Sequence, residues 1–142
     1  MIEESAAPDL ESLARRERAS IPSSAEELAE IHERALLAAR AAAAVKGEDV
    51  RILDMHDLVS YTDYLVLCTG RNTRLTKRIS EEVGFRLKEE KGLLPAGLEG
   101  GSSGEWVLMD YLDFVVHIFT PEARDFYRLD VLWKQAPMEA VI

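Results

Sequence analysis

The sequence predicts an α/β domain, a mixed β-sheet of about five strands flanked by helices, and three observations carry that prediction. Apolar residues recur at helical intervals over 24–45 and again over 73–90. Short consecutive apolar runs, too brief for helices, stand at 50–53, 64–68 and on both sides of Tyr111-Leu112-Asp113. The two patterns alternate as helix, strands, glycine, helix and strands again, the order of a mixed α/β fold. At 142 residues the chain suits one domain, able to bury roughly two thirds of its unfolded surface.

Each element has a local reason. Residues 1–22, rich in Ala, Ser, Glu and Arg with scattered Leu10 and Leu13 and ending at Ile21-Pro22, read as a flexible N-terminal extension; residues 23–142 form the domain. Ser24-Ala25-Glu26-Glu27 has capping-box spacing, in which a serine hydroxyl and a glutamate three residues on satisfy each other's backbone donors. The helix it opens carries Leu28, Ile31, Ala35, Leu36 and Ala39 on one face and stops at Lys46-Gly47. Val50, Ile52 and Leu53 begin a strand ending in Asp54, and Tyr64–Cys68 is apolar at every position, so that strand is buried on both faces. Ser60-Tyr61-Thr62-Asp63 between them is turn chemistry. Beyond Thr69-Gly70, a second helix places Leu75, Ile79, Val83 and Leu87 on one face, and Lys91-Gly92 and Pro95 end it. A Gly- and Ser-rich link, Gly97 to Gly104, leads into GEWVLMDYLDFVVHIF, two strands of a hairpin. Strand alternation puts Trp106, Leu108 and Asp110 on one face and Val107, Met109 and Tyr111 on the other. Pro121, suited to a first helical position, starts a final helical segment through Ala123, Phe126, Tyr127, Leu129, Leu132 and Trp133.

Charge and cysteine usage bound the function. With 26 acidic against 17 basic residues the net charge is −9, a field that repels nucleic acid and attracts basic partners. Cys68 alone forms no internal disulfide and completes no cysteine-rich zinc site, so a cytoplasmic chain without metal or cofactor is expected. No apolar run approaches the roughly 20 residues of a membrane span, and the N-terminal residues lack the apolar segment of a secretory signal.

The chemical signals are few. Gly70 stands between a strand and a helix, where backbone amides could meet a phosphate, and Arg71, Arg74, Lys77 and Arg78 cluster there. GRNTRLTK matches neither phosphate-binding glycine motif, so these residues are solvated cations with at most an anion or RNA contact. Asp110 and Asp113 flank a turn and could together hold magnesium, but turn aspartates ordinarily bond nearby backbone. The Asp-x-Asp pattern of metal-dependent nucleotidyl transfer is missing. His117 sits mid-strand with no nucleophile identified for it, Cys68 lies in an apolar strand, and His32 and His56 have no metal-ligand spacing. Catalysis has no visible apparatus. Trp106, just after the glycine-rich link, is either a core residue covering the sheet edge or an aromatic anchor for a partner protein, with Asp110 adding an acidic contact on the same face.

From about Leu36 to Ala136, the stretches GEDVRILDM, YTDYLVLCTGRNTRLTKRISEEV, LEGGSSGEWVLMDYLDFVVHIFTPEARDFY and LDVLWKQAP together resemble the bacterial ribosomal silencing factor family, RsfS, also called Iojap-like. One departure is Leu112, where the family usually has glycine in Asp-Tyr-Gly-Asp; leucine disfavours the positive φ such a turn uses. The resemblance implies a nucleotidyltransferase-like fold without catalytic acids. It implies binding to the large ribosomal subunit through ribosomal protein L fourteen, a steric block of joining to the small subunit, and repression of translation when nutrients are short. Trp106, Asp110, Tyr111 and Asp113 match motif positions near the family's ribosomal contact. An rRNA contact at Arg71, Arg74, Lys77 and Arg78, and a homodimer of the free protein, stay open. Two other classes remain: metal-dependent nucleotidyl or phosphoryl transfer at Gly70 and Arg71 with metal on Asp110 and Asp113, and direct RNA binding through the Arg71–Arg78 cluster.

Overall fold

The computed structural model describes residues 24–142. The expected extension, residues 1–22, lies outside the described residues.

Helix α1 (Ala25–Ala44) starts where the capping pattern places it, with the Ser24 hydroxyl accepting from the Glu27 amide at 3.1 Å. It stops at a left-handed residue that is Lys46, at φ 70°, not the adjacent glycine. Gly47 is needed for a different reason: its amide donates to Ala42 O, and a Cβ there would lie 2.6 Å from that oxygen and 2.7 Å from Cys68 Sγ. Strands β1 (Glu48–Asp54) and β2 (Tyr64–Thr69) follow, then helix α2 (Thr73–Lys91), capped by Asn72 and ended by Gly92 at φ 65°.

The predicted glycine-rich link contains an unexpected short strand, β3 (Gly97–Glu99), which pairs with β4 (Trp106–Asp110); β5 (Phe114–Phe119) follows on the far side of β4. The turn after β3 depends on Gly100, where a Cβ would sit 1.9 Å from Trp106 O. The single final helix becomes two, α3 (Pro121–Tyr127) and α4 (Leu129–Leu132), broken at Arg128 with φ 47°. The break has a packing reason. Ala123 and Leu129 both bury, yet on a continuous helix six residues turn about 600°, leaving the two roughly 120° apart. A last edge strand, β6 (Met138–Ala140), raises the count to six; its three exposed residues gave no alternating signal.

The sheet order is β3-β4-β5-β2-β1-β6, with β2 and β5 parallel and every other pair antiparallel. The parallel crossover from β2 to β5 holds α2 and the β3–β4 pair. One face packs Val50, Ile52, Val66, Cys68, Val107, Met109, Val116 and Ile118 under α1 and α2; the alanines of α1, fully buried from Ala35 to Ala42 at five positions, let that helix lie close. The opposite face packs Leu53, Leu65, Leu67, Trp106, Leu108, Val115 and Phe119 under the shorter cover of α3, α4 and Ala136. Arg124 ties this end together. Its guanidinium donates to Asp49 O and Thr69 Oγ1 at 2.9 and 3.0 Å and to Asp130 at 3.2 Å.

Candidate functional site

The β4–β5 hairpin turns on three residues, and its geometry is set by backbone demand. Asp110 Oδ1 accepts from the Leu112 amide at 2.8 Å, the Asp113 amide donates to Tyr111 O, and the Tyr111 amide donates to Phe114 O. Leu112 adopts φ 71°, the left-handed region that favours glycine, and is 42% exposed. The Asp110 carboxylate is 6% exposed and spent on the turn, so it offers neither a metal ligand nor a surface contact. Tyr111 is 8% exposed and stacks on Phe114 at 4.9 Å. Its hydroxyl finds no hydrogen-bond partner among the described residues, and burial pushes its pKa up to about 12. Asp113 is half-buried, and its carbonyl accepts from the amide of Asp63, a fully buried residue of the β1–β2 loop whose carboxylate meets His56 Nδ1 at 3.2 Å.

Trp106 is not on the surface. It is 1% exposed; its indole N–H donates to His117 Nδ1 at 2.9 Å, and its ring lies 4.9 Å from Phe119 and 4.4 Å from Tyr127. Of its two readings the structure selects the core residue, because Tyr127 of α3 covers the indole and a cross-strand histidine takes its only polar atom. Burial lowers the His117 pKa to about 3, so the ring is neutral and, with Nδ1 accepting, its proton sits on Nε2. Trp106 also stands at the end of β4 away from the turn, about 14 Å from Asp110 at strand rise. The four expected contact residues therefore form no single exposed patch; only Asp113, beside Leu112, reaches solvent appreciably.

The basic residues divide as well. Arg71, Arg74 and Arg78 line an open cleft of about 370 Å³ with Asn72, Leu75 and Lys46. Lys77 instead borders a separate hollow with Ser80, Glu81 and Leu98. Lys46 was not legible as a member. It joins because β1 and β2 pair antiparallel with Glu48 opposite Thr69, which brings the residues before β1 beside those after β2. Arg71 and Arg78 have carboxylates at 3.9 Å (Glu48) and 3.4 Å (Glu82), both at the surface. Cys68 is buried, with its pKa pushed up to about 12, chiefly by burial, which keeps the thiol protonated and inert. Among the described residues, no three His, Cys, Asp or Glu side chains converge as a metal cage.

Residues 28–141 match a family described as ribosomal silencing factor during starvation, RsfS. A Chromobacterium violaceum protein named ribosomal silencing factor RsfS is 41% identical over 113 residues, 79% of this chain and 92% of that one. A Bacillus subtilis protein of the same name is 33% identical over 102 residues, covering 72% and 86%. An X-ray structure of a Chromobacterium violaceum protein superposes with a TM-score of 0.71 at 38% identity, over 79% of this chain and 92% of that chain.

Proposed function

Because this chain belongs to the ribosomal silencing factor family RsfS, we propose that it represses translation in the cytoplasm by binding the large ribosomal subunit and excluding the small one. The observation that carries this reading is the extent of the match, which runs through both faces of the sheet and includes the β4–β5 turn. The expected protein contact is ribosomal protein L fourteen, a basic partner, and a body of net charge −9 favours its approach.

The contact surface we propose is narrower than the four residues read off the sequence. Leu112 and Asp113 at the hairpin tip supply the outward contact, one apolar and one acidic. Tyr111 and Asp110 shape the turn from beneath, and Trp106 acts at a distance by fixing β4 against β5. A steric block must occupy its site, so the protein acts by stoichiometry and without turnover.

Pelleting through sucrose with separated subunits tests the first half: the protein should travel with large subunits and stay behind with small ones. Asp113→Lys should reduce the pelleted fraction. Failure of the wild-type chain to pellet with either subunit would dismiss the reading. For the second half, protein at one tenth of the large-subunit concentration should remove about a tenth of the joining signal in light scattering and hold there for hours. A progressive loss toward zero would mean catalysis.

A further inference from the structure

We propose that the cleft formed by Lys46, Arg71, Arg74 and Arg78 grips the sugar-phosphate backbone of RNA, giving the protein a second, sequence-blind attachment away from the hairpin tip. The choice of RNA among phosphate polymers rests on the ribosomal reading above; the cleft's chemistry does not.

Composition argues first. A chain of net charge −9 gathers four cations around one cleft, and no carboxylate lines it. Three of the four are arginines, whose planar forks match phosphate oxygens. Lys46 and Arg74 have no ion-pair partner among the described residues. Glu48 and Glu82 hold Arg71 and Arg78 only by surface pairs at 3.9 and 3.4 Å, contacts weak enough for a phosphate to displace. The cations carry the site, and Asn72 already takes one first-turn amide of the helix, that of Leu75, at 2.9 Å. Leu75 is the sole apolar lining residue and no aromatic is present, so nothing stacks on or reads a base.

Backbone strain argues second and independently. Lys46 ends α1 at φ 70°, next in sequence to a glycine, in the conformation where glycine is preferred. A lysine in that conformation costs stability relative to glycine, and it places a fourth cation on the lining that Arg71, Arg74 and Arg78 share. The neighbouring acidic hollow shows the contrast. Around Arg124 and Arg128 stand Asp49, Asp125 and Asp130, which neutralise the cations and leave no net attraction for an anion.

The test is fluorescence anisotropy of a labelled 16-nucleotide RNA hairpin titrated with the full chain from 50 to 300 mM KCl. Wild type should bind with a log K against log salt slope of about −3, as four phosphate contacts give. Arg74→Glu should weaken binding at least tenfold at low salt. Lys46→Gly should lower the slope by about one while raising the urea midpoint, a pair of opposite effects that a merely helix-ending lysine would not produce. Lys134→Glu, with the same charge change on an exposed residue outside the cleft, should stay within twofold of wild type. The proposal is overturned if Arg74→Glu and Lys134→Glu behave alike, or if a glutamate-rich peptide competes as well as unlabelled RNA. Pelleting separates the two readings: a chain that pellets with large subunits yet binds no RNA hairpin refutes the cleft alone. One that binds the hairpin through the cleft but pellets with neither subunit refutes the ribosomal role alone.

Discussion

Replacing Trp106 with alanine should unfold this protein rather than merely detach it from a partner. The indole is 1% exposed, packed on Phe119 and Tyr127, and bonded to His117 Nδ1. Truncating a buried tryptophan costs about 3–5 kcal/mol through lost transfer energy and the cavity left behind. The histidine acceptor, 2% exposed, loses its donor and adds about 1 kcal/mol or more. A loss of about 4 kcal/mol or more is a large share of the stability of a domain this size. With a urea m-value of about 1.5 kcal/mol/M, the unfolding midpoint should fall by about 3 M or more. Circular dichroism is the readout of choice, because the substitution also removes one of two tryptophans. Trp106→Phe separates the terms: it keeps most of the packing, loses the donor, and should cost about 2 kcal/mol. Large-subunit pelleting of Trp106→Ala, corrected for its folded fraction, should match wild type. A midpoint within about 0.3 M of wild type, together with weakened pelleting, would refute the argument and return Trp106 to the surface.

Three further outcomes follow from the hairpin and its support. Folded His117 has its pKa lowered to about 3, below the unfolded value of about 6.5, so between those pH values the unfolded chain binds a proton that the folded chain refuses. Its contribution is complete above pH 6.5 and is lost as pH falls, at up to about 1.4 kcal/mol per unit; urea stabilities of wild type and His117→Asn from pH 7 to 4 should converge, and parallel curves would contradict this. Leu112→Gly should relieve left-handed strain of about 1–2 kcal/mol, less about 0.5–1 kcal/mol for glycine's added freedom, for a net gain of about 0.5–1 kcal/mol in denaturant unfolding; a lower midpoint would show that the leucine is held by packing instead. Tyr111→Phe removes a buried hydroxyl without a partner among the described residues and should be neutral or stabilising by up to about 1 kcal/mol, whereas a loss above 1 kcal/mol in the same assay would expose a missed hydrogen bond.

Local chemistry was legible from the sequence because local rules govern it. Ser24 caps α1, Gly92 ends α2, Pro121 opens α3, and strand alternation assigned Trp106 and Leu108 to one face and Val107 and Met109 to the other. The family, too, was readable, since several ordered motifs carry it. Periodicity says which residues share a face but is silent on what lies over that face. Tyr127 covers Trp106 only because α3 docks over that face of the sheet, Leu129 buries beside it only because Arg128 breaks the helix, and His117 meets the indole only through the β4–β5 register. β6 escaped notice because an edge strand of three exposed residues buries nothing and so leaves no pattern. The basic cleft depended on tertiary structure for the same reason. Arg71, Arg74 and Arg78 were visible as neighbours in sequence, but Lys46 reaches them across an antiparallel pairing that places residue 48 opposite residue 69, a juxtaposition the fold creates and no local spacing encodes.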